Sequence, residues 1–266
     1  MDILILGGDE RNFYLTKKLT ASGYDAKWCC AEKYGDIALE NADVKDEIRM
    51  SDAIVLPLPL TKDGETLNCP YGKVKISLDE IKTYIKDKKV FTSDSRIDGI
   101  NYFSDKGVTI ENARLTAVGF LSELLKAEKG DIMGRNALVT GFGNVSECVC
   151  KILADNGVRV FVAARDSAQR HKASVSGYGT GDFVEIEKII SDFDYIVNTV
   201  PSKVVSDNSL SKIRADSLYF ELASFVLKET EKYQFAYIDC RGMPGKHTPK
   251  GAGEVIADFI RSELRE

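Results

Sequence analysis

The stretch Ala137-Leu-Val-Thr-Gly-Phe-Gly-Asn-Val-Ser146 determines how the second half of the chain folds. An apolar run ends at two glycines and an amphipathic segment follows, which is the strand, turn and helix order of a dinucleotide-binding βαβ unit. Gly141 permits the tight turn, and Gly143 lets the backbone approach a pyrophosphate. Ser146 stands where a third glycine is usual and is still small enough for close helix packing. The stretch predicts a Rossmann-type nucleotide site.

The helix after these glycines predicts where the charge of a cofactor is held. Its first residues, Asn144 and Val145, offer backbone N–H donors and the positive end of the helix dipole to an anion. A βαβ unit whose glycine-rich turn binds nothing is the alternative. The strand and helix patterns on both sides favour binding, because the motif acts only in that context.

The end of the second strand of this unit should select between the two nicotinamide cofactors. Residues 162–170 read VAARDSAQR and place no carboxylate at the end of the strand. Arg165 and Arg170, with the hydroxyl of Ser167 between them, can form a 2′-phosphate site through guanidinium contacts. We therefore predict NADP. NAD stays open, because Asp166 could bind a ribose and Arg165 could simply lie over the adenine.

Loops after the later strands should line the nicotinamide end of the site, since ligands bind at the carboxyl edge of a parallel sheet. Their small polar groups and backbone can hold a ribose and a carboxamide. An ordinary strand-to-turn transition, with a proline ending the strand, is the alternative for the first of these loops. The residues predicted to contact the cofactor here are Thr199, Pro201 and Ser224.

Short apolar runs alternate with amphipathic segments along the whole chain, which indicates parallel sheets with crossover helices. The prediction is an α/β fold with two open, parallel-sheet, Rossmann-like lobes joined by a long helix, and with a cleft between the lobes. The C-terminal helix is expected to pack back on the first lobe, by analogy with two-lobe dehydrogenases. The predicted domains are 1–128 together with about 251–266, on the substrate side, and 131–250, which binds NAD(P).

The predicted elements are as follows. Strands are expected at Ile3–Leu6, Ala26–Cys29, Ala53–Leu56, Lys89–Thr92, Val108–Glu111, Asn136–Thr140, Val158–Ala163, Asp194–Asn198, Ser217–Glu221 and Ala236–Asp239. Helices are expected at Glu10–Ser22, Ser77–Lys86, Ile97–Lys106, Thr116–Lys129, Val145–Asn156 and Gly251–Leu264, and loops at 57–75 and 241–250.

Composition excludes several classes of protein. With 266 residues, 44% of them hydrophobic, the chain suits two globular domains and neither a disordered nor a fibrous protein. A net charge of −5 without a basic run argues against nucleic acid as a partner. Apolar stretches such as Ala53–Leu60 are too short to span a bilayer, and the chain opens on a strand rather than on a signal peptide. Six cysteines without a CxxC pair predict free thiols in a reducing, cytoplasmic setting.

Few side chains offer acid–base, anion-binding or metal chemistry. Arg11 follows the glycine turn after the first strand, Arg96 follows the fourth strand, and each could bind an acidic substrate, as could Arg114. The alternative for Arg11 is a solvated residue in the first turn of a helix that Asp9 caps, and the alternative for Arg96 and Arg114 is a surface salt bridge. His171 is expected at the surface or at an adenine edge, whereas His247 lies in a loop where it could transfer a proton. No ligand cluster at metal spacing occurs, so we predict no metal.

Motifs spread over nearly the whole chain resemble the family of dipicolinate synthase A subunits, which make pyridine-2,6-dicarboxylate in spore-forming bacteria. The most specific one is the loop GMPGK followed by PKGAG, similar to the GLPGK and PKTAG elements of that family. The motifs are Gly7-Gly8-Asp9-x-Arg11, Leu56-Pro57, Gly141-x-Gly143, Ala164-Arg165, Asn198-Thr199-x-Pro201-Ser202, Leu222-Ala223-Ser224 and Gly242-x-Pro244-Gly245-Lys246 with Pro249-Lys250-x-Ala252-Gly253.

The resemblance implies oxidation of dihydrodipicolinate, or of its hydrated precursor, to the aromatic pyridine, with NADP as hydride acceptor. It also implies a partner, the flavoprotein-like B subunit of such synthases, alongside a possible homo-oligomer. Two substrate carboxylates then need cations, for which we predict Arg11, Arg96 and Lys246. A proton must also leave, and Lys250, His247 or a water could take it.

The chain departs from the family at three positions. Val118 stands where the family carries a glutamate, and Gly251 replaces the threonine of PKTAG. The family position of His247 is usually apolar, which argues against an essential base there. A role of the missing glutamate in chemistry would imply a shifted substrate or weaker activity. Two alternatives therefore stay open: an NADP(H)-binding regulatory protein without turnover, and a two-lobe NAD(P)-dependent dehydrogenase of a hydroxy or amino acid.

Overall fold

A computed structural model describes residues 1–34, 38–39 and 43–265. The chain forms two compact units. Unit 1 comprises Met1–Glu111 and Thr248–Glu266, and unit 2 comprises Asn112–His247. Glu266, where the predicted first domain ends, lies outside the described residues.

Strands and helices alternate along most of the chain. The strands are β1 Asp2–Leu6, β2 Asp25–Cys29, β3 Ala38–Leu39, β4 Ala53–Val55, β5 Lys89–Thr92, β6 Ile100–Asn101, β7 Asn136–Thr140, β8 Arg159–Ala163, β9 Gly179–Gly181, β10 Tyr195–Asn198, β11 Leu218–Glu221 and β12 Ala236–Asp239. The helices are α1 Glu10–Ala21, α2 Val44–Met50, α3 Leu78–Tyr84, α4 Lys106–Glu128, α5 Asn144–Asp155, α6 Ser167–Val175, α7 Phe183–Ile186, α8 Asp207–Leu210, α9 Met243–His247 and α10 Pro249–Glu263.

Unit 1 is built on a parallel sheet in the order β3-β2-β1-β4-β5-β6. Its central strand is apolar on both faces: Ile3 and Ile5 pack into one buried cluster, and Leu4 and Leu6 into the other. A strand covered on both sides needs apolar residues at every position, which is why β1 reads as a continuous hydrophobic run. The Asp9 carboxylate then caps α1 by accepting from the Arg11 N–H.

The C-terminal helix α10 packs on α1 in unit 1, as the sequence predicts. Gly253 lies at their closest approach. A Cβ added there would stand 2.9 Å from the backbone nitrogen of Leu15 and closer still to the carbonyl oxygen of Arg11. Because both atoms belong to the backbone, room for a side chain could be made only by moving one helix away from the other, which costs packing energy. The glycine therefore sets the distance between the two helices.

We expect Gly253→Ala to destabilise unit 1 by roughly 1–3 kcal/mol, because overpacking outweighs the gain of about 1 kcal/mol in helix propensity. Chemical denaturation followed by circular dichroism measures the change. Glu254→Ala, one residue along the same helix, is the control and should stay within about 0.5 kcal/mol of the wild type. Wild-type stability of the Gly253→Ala protein would contradict this packing.

Unit 2 has the parallel order β12-β11-β10-β7-β8-β9, in which β7 lies at the centre. Val139 of β7 packs into the cluster with α5, while Leu138 packs into the cluster on the opposite face. The strand order reverses beside β7, and in open parallel sheets ligands bind at such a switch point, outside the carboxyl ends of the strands. The predicted fold class is confirmed: two Rossmann-like α/β lobes joined by a long helix, here α4.

Three predictions of secondary structure are wrong. Val108–Glu111 belongs to the start of α4 and is not a strand. Val108 and Ile110 would share one face of a strand, but Val108 is buried and Ile110 is exposed, because residues two apart lie on opposite sides of a helix. The helix predicted at Ile97–Lys106 is instead strand β6 and a 3-10 turn, with Gly99 packed closely against the Val90 carbonyl. The predicted loop 241–250 contains α9 and the start of α10.

Two features are absent from the residues that the structure describes. None of the helices in this part of the chain is both long and apolar enough to cross a membrane. The same residues contain no group of three or more His, Cys, Asp or Glu side chains placed to hold a metal ion.

Candidate functional site

The glycine-rich turn follows β7 in unit 2 and is fixed by backbone contacts. Gly141 has a φ of +77°, and its N–H donates to the Ala163 carbonyl at 2.7 Å. A Cβ on Gly141 would also stand 3.0 Å from Cγ2 of Val200, which follows the neighbouring strand β10. Glycine is therefore required at 141 by both the left-handed backbone and the close packing.

Gly143 is a glycine for a different reason. Its backbone is extended, with φ −100° and ψ −170°, which any residue can adopt. A Cβ built on it meets no atom within 4 Å. The open space lies at the N-terminus of α5, where backbone N–H groups and the helix dipole attract an anion. The position therefore fits a pyrophosphate cradle, and the fold itself does not need a glycine there.

Ser146 caps the same helix in a way that the sequence pattern does not show. Its hydroxyl oxygen accepts from the Gly143 N–H at 2.9 Å, and the side chain is buried. Predicted only as a small packing residue, Ser146 thus also satisfies a donor of the turn. The predicted anion-binding residues Asn144 and Val145 are the first two residues of α5.

The predicted 2′-phosphate site lies between β8 and α6. Arg165 is exposed, and its side chain forms no hydrogen bond or ion pair within the described residues. The Arg170 guanidinium instead donates to the carbonyls of Ala164 and Arg165, at 2.6 and 2.7 Å, and so holds the turn. Ser167, also exposed, is the first residue of α6.

The alternative ribose ligand of this turn is already used by the fold. The Asp166 carboxylate caps α6, accepting from the Ala168 N–H at 2.8 Å. Beside it, Gln169 Oε1 accepts from the Phe142 N–H of the glycine-rich turn at 3.1 Å. The cap favours Arg165 over Asp166 as the group available to a cofactor at this turn.

A buried polar network joins the carboxyl ends of three strands in unit 2. Thr140 Oγ1 donates to Asn198 Oδ1 at 2.6 Å, and Asn198 Nδ2 donates to both carboxylate oxygens of Glu221, at 2.8 and 3.0 Å. The Ala223 N–H donates to the same carboxylate at 3.1 Å. Thr199 Oγ1 donates to the Thr140 carbonyl at 2.6 Å. The network fixes the ends of β7, β10 and β11 relative to one another.

Glu221 titrates far from its usual range. Its side chain is fully buried, and this desolvation raises the pKa to about 7, although hydrogen bonds from Asn198 and Ala223 act in the opposite direction. The nearby charges of Arg241 and Asp239 lower and raise the pKa respectively. Glu221 was not among the predicted site residues. The sequence feature that could have identified it is a carboxylate at the end of an otherwise apolar strand.

The predicted nicotinamide-side residues adjoin this network. Thr199 belongs to it, and Pro201 and Ser224 are exposed positions in the loops after β10 and β11. The candidate site of unit 2 therefore comprises the open helix end at Gly143, the turn at Arg165 and these two loops.

The proton-transfer candidates lie in different units. His247, in α9 of unit 2, contacts the Glu123 carboxylate of α4 at 2.7 Å from Nε2. Lys126 holds the same carboxylate at 3.0 Å and, with His247, lowers the pKa of Glu123. Lys246, also in α9, is exposed. Lys250 is an exposed residue of α10 in unit 1.

The predicted substrate cations of unit 1 are both paired with a nearby aspartate. Arg11 is buried and binds Asp9 through Nε at 2.8 Å and Nη2 at 2.7 Å, and Nη2 also donates to the Leu58 carbonyl. Arg96 repeats the arrangement with Asp94, at 2.9 and 2.6 Å, but its side chain is nearly half exposed. Arg114 is an exposed residue of α4, in unit 2, and His171 is an exposed residue of α6.

Two known families match different parts of the chain. Residues 2–124 match the family of N-terminal domains of the dipicolinate synthase A subunit. Residues 119–233 match the family described as S-adenosyl-L-homocysteine hydrolase, NAD binding domain. The predicted class of cofactor, a nicotinamide dinucleotide, is thereby confirmed, and so is the prediction of an NAD(P)-dependent oxidoreductase.

Individual relatives match over the whole length. The dipicolinate synthase A subunit of Bacillus subtilis (strain 168) is 25% identical over 289 residues, which span 100% of this chain and 96% of that protein. The crystal structure of the dipicolinate synthase A subunit from Bacillus halodurans superposes with a TM-score of 0.85 at 23% identity, covering 100% of this chain and 98% of that one. The Bacillus subtilis structure gives 0.84 at 23% identity, covering 100% and 96%. Along its whole length, in sequence and in fold, the chain therefore resembles the A subunit of dipicolinate synthase.

Proposed function

We propose that the protein oxidises dihydrodipicolinate, or its hydrated precursor, to dipicolinate, with NADP⁺ as the acceptor. The observation that carries this proposal is the full-length similarity to a protein named as the A subunit of dipicolinate synthase. The reaction removes a hydride and a proton from the ring, yielding the aromatic pyridine, NADPH and H⁺; a hydrated precursor also loses water. Aromatisation drives the reaction, so the protein mainly has to place the reacting C–H and exclude competing reactions.

The residues of unit 2 supply the cofactor functions. NADP⁺, when bound, accepts the hydride at its nicotinamide ring. The N-terminus of α5, beside Gly143, binds the pyrophosphate; Arg165, with Ser167, binds the 2′-phosphate. The loops carrying Thr199, Pro201 and Ser224 hold the nicotinamide ribose and carboxamide.

The residues proposed for the substrate have separate tasks. Arg96, Lys246 and Arg11 balance the two carboxylates, with the Arg96 guanidinium more exposed than that of Arg11. His247 or Lys250 receives the proton, and Glu123 fixes the orientation of the His247 ring. The flavoprotein-like B subunit of such synthases is the proposed partner, and the pathway is dipicolinate synthesis in spore formation.

A coupled assay tests the proposal. Freshly generated dihydrodipicolinate and NADP⁺ are mixed with the protein, with and without the B subunit, while the absorbances of dipicolinate and NADPH are followed together. Equal appearance of both products is the expected result, and the reaction without the partner shows whether this chain suffices. Neither product, with NADPH binding intact, would support the regulatory alternative that the missing carboxylate at Val118 favours. Turnover of an unrelated hydroxy or amino acid would support the other dehydrogenase.

The choice of NADP is tested by Arg165→Ala. Losing a charge-assisted contact to the 2′-phosphate should weaken NADPH binding by about 10- to 100-fold and leave NADH binding nearly unchanged. Fluorescence titration with each nucleotide gives both constants. Arg159→Ala, at the opposite end of the same strand β8, is the matched control and should alter neither. Equal losses for the two nucleotides would exclude the 2′-phosphate assignment.

A further inference from the structure

Three cysteines of unit 1 lie together at the carboxyl edge of its sheet. Cys29 ends β2 and Cys30 follows it, while Cys69 comes from the loop after β4. The sulfur of Cys30 is 3.9 Å from that of Cys29. The loop that carries Cys69 lies against Cys30, because the Gly72 N–H donates to the Cys69 carbonyl at 3.3 Å and Gly72 packs against the Cys30 carbonyl. Cys69, although distant in sequence, therefore lies beside the adjacent cysteines 29 and 30.

The glycine turn after β1 holds these segments together. The Gly7 N–H donates to the Cys29 carbonyl at 2.9 Å, and the Gly8 N–H donates to the Asn68 carbonyl at 2.8 Å. A Cβ on Gly7 would stand 2.8 Å from the sulfur of Cys69. The turn thus fixes the backbone next to two of the thiols, and their proximity is built into the fold.

The backbone at Cys30 is unusual. Its φ is +62°, in the left-handed region that non-glycine residues rarely adopt. Gly72 packs against the Cys30 carbonyl so closely that a Cβ would stand 2.5 Å from the oxygen. Such a conformation persists only where the surrounding structure enforces it, and it is enriched at functional positions. Here it occurs at Cys30, against which the loop of Cys69 packs.

Access from solvent differs among the three thiols. Cys29 and Cys30 are 2% and 1% exposed, whereas Cys69 is partly exposed. Contact with Cys29 lowers the pKa of the Cys30 thiol, but contact with Cys69 and burial raise it to about 12 overall, so Cys30 is protonated at neutral pH. An oxidant from solvent therefore meets Cys69 first, with Cys30 beside it as the second thiol.

We propose that Cys69 and Cys30 form a reversible disulfide when the protein meets a peroxide. In the first step the Cys69 sulfur attacks the peroxide, giving the sulfenic acid and water or an alcohol from the cleaved O–O bond. In the second step the Cys30 sulfur attacks the Cys69 sulfur, the S–O bond breaks, and water leaves with the Cys30 proton. Two thiols are oxidised and one peroxide is reduced. A dithiol reverses the reaction.

The bond would link the end of β2 to the loop that covers the glycine turn of unit 1. Ligands of open parallel sheets bind at this carboxyl edge. Oxidation therefore locks the edge of unit 1 where a ligand would contact it. The site is independent of the nucleotide-binding residues of unit 2.

Peptide mapping tests the proposal on the full-length protein. After hydrogen peroxide treatment and blocking of remaining thiols with a maleimide, tryptic digestion should yield Trp28–Lys33 joined to Asp63–Lys73. Thiol titration should fall from six to four and return to six with dithiothreitol. Tandem mass spectra of the joined peptides distinguish Cys30 from Cys29 without any variant.

Variants sharpen the assignment. Cys69→Ser should retain all of its thiols, whereas Cys148→Ser, which removes a similarly half-buried thiol from unit 2, should still lose two. Unchanged thiol content in the treated wild type would overturn the proposal. A Cys29–Cys30 bond, a bond within unit 2, or sulfinic acid at Cys69 without a disulfide would overturn it as well.

Discussion

Replacing Gly143 with valine is expected to weaken dinucleotide binding by at least about 100-fold and to leave the fold intact. The backbone at 143 is extended, and a Cβ there meets no protein atom within 4 Å. A branched side chain is therefore tolerated by the protein, at a cost of at most about 1 kcal/mol for the changed helix cap. The same side chain occupies the space in front of α5 that a pyrophosphate needs, and the factor of 100 corresponds to about 2.7 kcal/mol.

This substitution separates binding from folding more sharply than one at Gly141. A side chain at 141 would strain the left-handed backbone and approach Val200, so a loss of binding there could follow from misfolding. Titration calorimetry with NADPH and thermal unfolding of the same samples provide the two measurements. Gly130→Val, after α4, is the matched control and should bind normally. Normal dinucleotide binding by the Gly143→Val protein would contradict the placement of the pyrophosphate at the N-terminus of α5.

The free energy of unfolding of unit 2 is expected to fall by up to about 3 kcal/mol as the pH rises from about 5 to about 8, because of Glu221. Burial raises its pKa from the ordinary 4.5 to about 7 in the folded protein. The folded state therefore binds this proton more tightly than the unfolded state does. The contribution is complete below the unfolded pKa and is lost as the pH passes through about 7.

Carboxylates with lowered pKa act in another range of pH. The hydrogen bond from Arg241 lowers the pKa of Asp239 to about 2, so its contribution is present above the unfolded value of 3.8 and is lost only as the pH falls through about 2. Asp239 therefore does not contribute to the change in stability between pH 5 and pH 8 that is expected from Glu221. Denaturant unfolding at several pH values in this window measures the slope directly.

Glu221→Gln should remove most of the slope. The amide stays neutral at every pH, and it loses one hydrogen bond to Asn198, at a cost of about 1 kcal/mol that does not vary with pH. Glu231→Gln, at an exposed position of unit 2, should keep the wild-type slope. A Glu221→Gln protein with the full wild-type slope would show that another group titrates.

The nucleotide site was predictable because its signals are local. The tight turn at Gly141 follows from a local backbone requirement, and the structure places Gly141 and Gly143 at the predicted strand–helix junction. Strands covered on both faces read as apolar runs, so most strands of both sheets were found. The pattern failed at Val108–Glu111, where β-branched residues favour a strand locally and the packing of a long helix prevails.

The remaining features depend on contacts between distant residues. Glu221 becomes a buried carboxylate only when β10 and β11 pair and bring it to Asn198. Cys69 meets Cys30 only through the loop that folds over the glycine turn, and the spacing of the cysteines gives no sign of it. Asp166 caps a helix and Arg11 pairs with Asp9. From the sequence alone, the same side chains could equally have bound a ligand.

Transfer of deuterium tests the central claim most directly. Dihydrodipicolinate labelled at the ring carbon that loses hydride is mixed with NADP⁺ and the protein, together with the B subunit if the coupled assay requires it. The reaction is quenched after a single turnover, and the nicotinamide ring is examined by NMR. We predict one deuterium at C4 of NADPH for each dipicolinate formed. Dipicolinate without deuterated NADPH would contradict the account, because the hydride would then have gone to a different acceptor.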